Sequence, residues 1–221
     1  MSLLTSPSKR FTRLLLLLAL PLLLFSFAFM PPDEDEGLKI GKELPLTERS
    51  MPAIDGSASN LKSLAGENGL ILVFSCNTCP FVIGNEDFPG WERQYNDLYA
   101  QAAAKNVGFV LVNSNEAQRD GVDSMEEMIE HARLESYKMP YVIDTQHALA
   151  DALGAKTTPH VYAFDKELRL VYKGSIDNSW DSKREADANY LSDVIVYLGG
   201  GMKLKTHSTP PRGCSIKRIT L

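Results

Sequence analysis

Leu70-Ile71-Leu72-Val73-Phe74-Ser75-Cys76-Asn77-Thr78-Cys79-Pro80 is the stretch on which the reading of this chain turns. Its first five residues are apolar without alternation, the pattern of a strand buried on both faces. Two cysteines follow, separated by two residues, and an amphipathic segment begins directly after them. Pro80 suits the first turn of a helix, where a missing N–H is no loss. A strand that feeds a helix through Cys-x-x-Cys is a setting in which thiols are tuned for electron exchange.

Downstream, Phe81, Val82, Phe88, Trp91, Tyr95, Leu98 and Tyr99 recur at near-helical spacing, which predicts a helix over 81–104 that Pro89-Gly90 kinks or interrupts. Val107 to Val112 is a second buried strand, ending in Asn113-Ser114-Asn115. Ser124 is a helix cap, with Glu127 completing a capping box, for a helix running to Tyr137 whose apolar face is Met125, Met128, Ile129 and Ala132. Tyr141 to Asp144 is a short strand, and His147 to Leu153 a short helix closed by Gly154. Thr157-Thr158-Pro159 turns into a strand over 160–165. Asp165-Lys166-Glu167 joins that strand to the next, Leu168 to Lys173, as an antiparallel hairpin. Ala186 to Leu198 is the last helix, stopped by three glycines. The order β-α-β-α-β-α-β-β-α calls for a central sheet with helices on both faces. Upstream, 38–68 reads as short extended pieces, with a turn at Asp55-Gly56 and a short helix or turn near Leu61 and Leu64.

The first 28 residues stand apart. Lys9, Arg10 and Arg13 precede sixteen uncharged residues, Leu14 to Phe29, dominated by leucine, and Ser26-Phe27-Ala28 resembles a small-x-small cleavage site. That pattern predicts a signal peptide or, left uncleaved, an N-terminal membrane anchor. Residues 29–37 are an acidic linker, 38–201 the folded domain and 202–221 a polar, flexible tail. Net charge is −5 for the chain; without residues 1–28 it is −8, with 20 basic against 28 acidic groups. Nothing in that balance suggests a nucleic-acid partner. The expected location is exported and periplasmic or otherwise extracytoplasmic, an oxidising compartment where disulfides persist, with membrane contact only through the leader if it is retained.

The cysteine pair at a strand-to-helix junction, followed by Thr158-Pro159 opening a later hairpin, resembles the thioredoxin superfamily. Phe74-Ser75-Cys76-Asn77-Thr78-Cys79-Pro80-Phe81, Asn113-Ser114-Asn115 and Gly213-Cys214-Ser215-Ile216-Lys217 are similar to its peroxiredoxin-like, or redoxin, branch of Cys-Asn-x-Cys-Pro type. The resemblance covers residues 38–217. It implies a three-layer α/β/α sandwich with a mixed central sheet and an inserted strand–helix segment, and a thiol–disulfide oxidoreductase that uses a Cys76–Cys79 dithiol. It also implies a cis Thr158–Pro159 bond facing Cys76, and substrate-shaping positions at Asn77, Thr78, Thr158 and Pro159. Ser75 stands where thioredoxins carry tryptophan, and Val73 where true peroxiredoxins carry threonine, so both family patterns are incomplete here.

A thiolate, not a thiol, attacks a disulfide, and a helix N-terminus favours that charge. The expected roles are Cys76 as the exposed nucleophile and Cys79, a turn further in, as its buried partner. Cys214 is a candidate third redox thiol linking to Cys76, or a free surface thiol. Substrates would be protein or small-molecule disulfides, the electron source a thiol donor, and no cofactor or metal is required. The alternatives are a peroxiredoxin-like antioxidant peroxidase and a copper-binding module on the same fold; Sco-type copper proteins space their cysteines by three residues rather than two. A static disulfide closing so short a loop would stabilise little, and a zinc site would need four ligands. His147 is expected exposed near a helix start, His160 half-buried on a strand, and Glu86 solvated.

Overall fold

Strand β3 sits at the centre of the sheet because every residue in it is apolar. The computed structural model describes residues 37–220, so the leader and all but the last residue of the acidic linker lie outside the described residues. In chain order the elements are β1 (Met51–Pro52), β2 (Ala58–Ser59), α1 (Leu61–Leu64), β3 (Leu70–Phe74), α2 (Pro80–Ile83), α3 (Tyr95–Ala103), β4 (Gly108–Asn113), α4 (Met125–Leu134) and β5 (Tyr141–Ile143). They continue with α5 (Ala148–Leu153), β6 (Thr157–Thr158), β7 (His160–Phe164), β8 (Leu170–Gly174), α6 (Tyr190–Leu198) and β9 (Cys214–Ser215). The main sheet has the order β5-β4-β3-β7-β8. β3, β4 and β5 are parallel; β7 is antiparallel to β3, and β8 to β7.

Successive residues of a strand point to opposite faces, and β3 feeds two cores. Ile71 and Val73 pack with Tyr95, Leu98 and Ala102 of α3, Met128 of α4, and Leu191, Val194, Ile195 and Leu198 of α6. Leu70, Leu72 and Phe74 pack with Leu61 of α1 and Leu149, Ala150 and Leu153 of α5. This is the three-layer α/β/α sandwich with a mixed sheet. Two strand–helix units, β4–α4 and β5–α5, stand between the cysteine pair and Thr158-Pro159.

Several features differ from the sequence reading. The last helix begins at Tyr190, where the chain leaves the turns of 178–189, rather than at Ala186. Ser124 caps α4 without a reciprocal bond from Glu127, and His160 is buried. The helix over 81–104 is two helices, α2 and α3. Between them Gly84 and Gly90 take positive φ (96° and 78°), a region open to glycine. The Asn85 side chain accepts from the N–H groups of Asp87 and Phe88, both at 2.9 Å, which turns the chain before Pro89. α4 stops at Leu134, and Ile129 lies on its exposed side. His147 is buried, bonded to Asp151 at 2.7 Å and to the carbonyl of Ile219 at 3.2 Å.

A further correction concerns the tail. Residues 202–220 are part of the domain, not a loose appendage. Leu204 and Ile216 are buried in the two cores. Thr209 donates its N–H to Lys173 O (3.1 Å), Ile216 to Lys156 O (3.1 Å), and Lys217 accepts from Ala117 N–H (2.9 Å). β9 pairs antiparallel with β6, placing Ser215 opposite Thr157 and Cys214 opposite Thr158. Gly213 lies so close to the Thr158 carbonyl and Pro159 that a Cβ would overlap them. Backbone pairing that polar composition conceals is what holds this segment.

Candidate active site

The Thr158–Pro159 peptide is cis, and Thr158 touches both thiols of the motif. Its hydroxyl lies 3.1 Å from Cys76 Sγ, and its carbonyl accepts from Cys79 Sγ at 3.0 Å. β3 delivers Cys76 because Phe74 pairs with His160 of β7, the residue after Pro159, so the two ends of the site share one register. Cys79 is the N-cap of α2, with Pro80 in the first turn.

Both cysteines are only 3 % exposed, so the expectation of an exposed Cys76 is corrected. The charge preference is also reversed. Cys79 accepts hydrogen bonds from the Cys76 thiol and from the backbone N–H groups of Cys214 and Phe81, which bring its pKa down to about 5. Cys76 donates its proton to Cys79, is buried, and faces the carboxylate of Asp123; all three push it well above an ordinary thiol. The Thr158 carbonyl opposes a thiolate on Cys79, since it can only accept, but the Cys76 and Cys214 thiols and the two backbone N–H groups outweigh it. The hydrogen bond between the two sulfurs contributes most and the Cys214 thiol and N–H add to it, while the start of α2 contributes least.

Asn77 is buried between the cysteines and tied into a polar network that sequence reasoning missed. Its backbone N–H donates to Asp123 Oδ1 (3.1 Å), its Nδ2 to Val122 O (2.9 Å), and its Oδ1 accepts from the Tyr141 hydroxyl (3.1 Å). Asn113 Nδ2 donates to Asp123 Oδ1 (2.8 Å) and Tyr141 Oη (3.0 Å), and Asn115 Nδ2 to Asp123 Oδ2 (2.9 Å). Arg119 binds the backbone carbonyls of Asp123 and Asn113. The signal that could have found Asp123 was Asn113-Ser114-Asn115: three polar residues closing a buried strand need buried partners. On the other side of Cys76, Ser75 Oγ and Tyr95 Oη are 3.1 Å apart.

Thr78 is exposed, the only residue of the four-residue motif that is. Cys214 is half-buried beside Cys79, not Cys76: its N–H reaches Cys79 Sγ at 3.4 Å and the two thiols are in hydrogen-bonding contact. Burial and the neighbouring Cys79 push the Cys214 thiol up to about 11. His160 is buried against the Tyr162 ring, with centroids 4.6 Å apart, and Glu86 is exposed. Among the described residues, no group of three or more His, Cys, Asp or Glu side chains is placed to hold a metal ion, and no helix is long and apolar enough to cross a membrane.

A profile of the redoxin family matches residues 39–191, from before β1 into α6. The chain belongs to the redoxin family. Among solved structures, this redoxin is similar to an uncharacterized conserved protein from Geobacillus kaustophilus, at 28 % identity and TM-score 0.72 over 83 % of this chain and 94 % of that one. A hypothetical protein from Sinorhizobium meliloti 1021 matches at 26 % identity and TM-score 0.67, over 82 % and 96 %. Peroxidoxin BcpB from Mycobacterium tuberculosis shares the fold at 16 % identity and TM-score 0.51, over 74 % and 97 %. No curated protein matched the sequence. Membership makes this redoxin a redox enzyme of the broad thiol oxidoreductase or peroxidase kind.

Proposed function

We propose that this redoxin is an exported thiol–disulfide oxidoreductase whose working pair is Cys76 and Cys79. The observation that carries the reading is the meeting of both sulfurs with each other and with Thr158 in one buried site. When the pair is oxidised, its S–S bond forms and two electrons and two protons pass to a substrate disulfide, which becomes two thiols. A thiol donor reverses the change. Asn77 holds the loop between the sulfurs in place, Thr158 and Pro159 form the buried wall behind the sulfurs, and Thr78 is the motif residue at the surface where a substrate chain arrives. The basic and then apolar leader supports export to the periplasm or an equivalent compartment; recovery of tagged full-length protein only from the cytoplasm would overturn that part.

The test is reduction of insulin disulfides by the purified domain with dithiothreitol as donor. Wild type accelerates the reaction, Cys79→Ser abolishes it, and Cys76→Ser, left with Cys79 and Cys214, falls well below wild type. Full activity in either variant overturns the proposal. Rapid second-order consumption of hydrogen peroxide without insulin reduction would give the protein the other activity of its family.

A further inference from the structure

The two motif cysteines are almost wholly enclosed, yet a thiol–disulfide enzyme must exchange with molecules outside itself. Cys214 is the one cysteine of the three with substantial exposure. It is not a stray surface thiol. β9 holds it opposite Thr158, the residue that touches both motif sulfurs, and Gly213 lets the backbone approach the Thr158–Pro159 peptide closely. Ile216, two residues on, is anchored in the core, and Lys217 donates to Asn115 Oδ1 at 2.9 Å, so the strand is pinned beyond the cysteine as well. The sulfurs therefore form a row, Cys76 to Cys79 to Cys214, with Cys79 in contact with both neighbours.

Resting on the proposed dithiol chemistry, we propose that Cys79 is a pivot whose sulfur bonds alternately to Cys76 and to Cys214, carrying a buried disulfide out to where a thiol donor can reach it. In the oxidised chain the Cys214 thiolate attacks Cys79 Sγ. The Cys79–Cys214 bond forms, the Cys76–Cys79 bond breaks, its electron pair stays on Cys76, and the proton lost by Cys214 is taken up there. No electrons enter or leave in this step. A donor thiolate then attacks the half-exposed Cys214 sulfur and expels Cys79 as a thiolate. A second donor thiol attacks the mixed disulfide on Cys214, releasing the donor disulfide and leaving all three cysteines reduced. In the rearrangement the leaving sulfur is Cys76, a weak leaving group that needs the Cys214 proton delivered to it as the bond breaks. In the donor step the leaving sulfur is Cys79, and the donors clustered on it favour its departure, because a thiol of lower pKa leaves faster. Its place in the middle of the row makes Cys79 the one sulfur of the three in contact with both others.

The experiment uses the folded domain, oxidised with diamide, blocked with N-ethylmaleimide and mapped by mass spectrometry. In wild type the leftover thiol is found on Cys214 in some molecules and on Cys76 in others; label confined to Cys214 overturns the pivot. Cys76→Ser oxidises to a monomer with a Cys79–Cys214 link and no free thiol; a variant that stays reduced or dimerises overturns it too. Cys214→Ser still forms the Cys76–Cys79 disulfide, but glutathione reduces that disulfide at least about tenfold more slowly than in wild type; reduction at the wild-type rate counts against the inference alone. Failure of wild type to form any Cys76–Cys79 disulfide would instead sink the dithiol reading on which it rests.

Discussion

Asp123 carries a carboxylate with no exposed surface and three N–H donors aimed at it, from Asn77, Asn113 and Asn115. Replacing it with asparagine sets an amide N–H₂ against at least one of those donors, whichever way the amide is turned. An orphaned buried donor costs about 1–3 kcal/mol, and Asp123→Asn should lose at least that in urea unfolding. The same change removes a negative charge that raises Cys76, so the Cys76 thiol should ionise at lower pH in the variant. A second prediction concerns which sulfur is charged. Thiolate absorbance at 240 nm should show a transition near pH 5 in wild type and in Cys76→Ser, where serine still donates to Cys79, and none there in Cys79→Ser. The opposite pattern would return the charge to Cys76. The sequence made the motif and Thr158-Pro159 readable because their spacing is distinctive. It left Asp123 hidden, since one aspartate in the polar run Arg119-Asp120-Gly121-Val122-Asp123-Ser124 has nothing local to mark it as enclosed. It also assigned the charge from the helix start alone and left out Cys214, whose thiol and N–H face Cys79.

At the scale of elements, the strands of the main sheet were legible and the helix ends were not. Leu70 to Phe74 and Phe109 to Val112 are long apolar runs that only a doubly covered sheet can bury. The break after α2 depends on Gly84 and on the Asn85 side chain, small local bonds that a hydrophobic stripe does not register. α4 is also tied to the turn before α3, because His131 Nε2 lies 2.7 Å from Glu92 Oε2, an atom that the Tyr137 hydroxyl also reaches at 2.7 Å. That hydrogen bond holds the His131 pKa above its ordinary 6.5. A raised folded-state pKa stabilises the protein while histidine is protonated in both states, and the benefit fades as pH rises through the folded value. The stability gap between wild type and His131→Gln should therefore be widest at about pH 6 and shrink by about pH 9. Urea unfolding at both pH values measures it, and a gap that widens with alkalinity would contradict the linkage.

Across the whole molecule, the sheet, the layers and the site are closed by a segment that composition marks as a tail. Proline, lysine and serine give 202–215 no hydrophobic period, so its docking could not be read from pattern; backbone pairing and two apolar anchors supply it. Ile216→Ala should cost about 2–5 kcal/mol, as for other large-to-small core changes, and should free Cys214 from Cys79. Thermal unfolding and the rate of Cys214 alkylation should report both effects together. Faster alkylation without lost stability would show that Ile216 does not anchor the strand. The position of β9 also bears on manufacture of the protein. Synthesis runs from the amino terminus, and β9 comes after all five strands of the main sheet. Until β9 is made, the growing chain carries Cys76 and Cys79 without Cys214, so the inner two sulfurs exist before the outer one does.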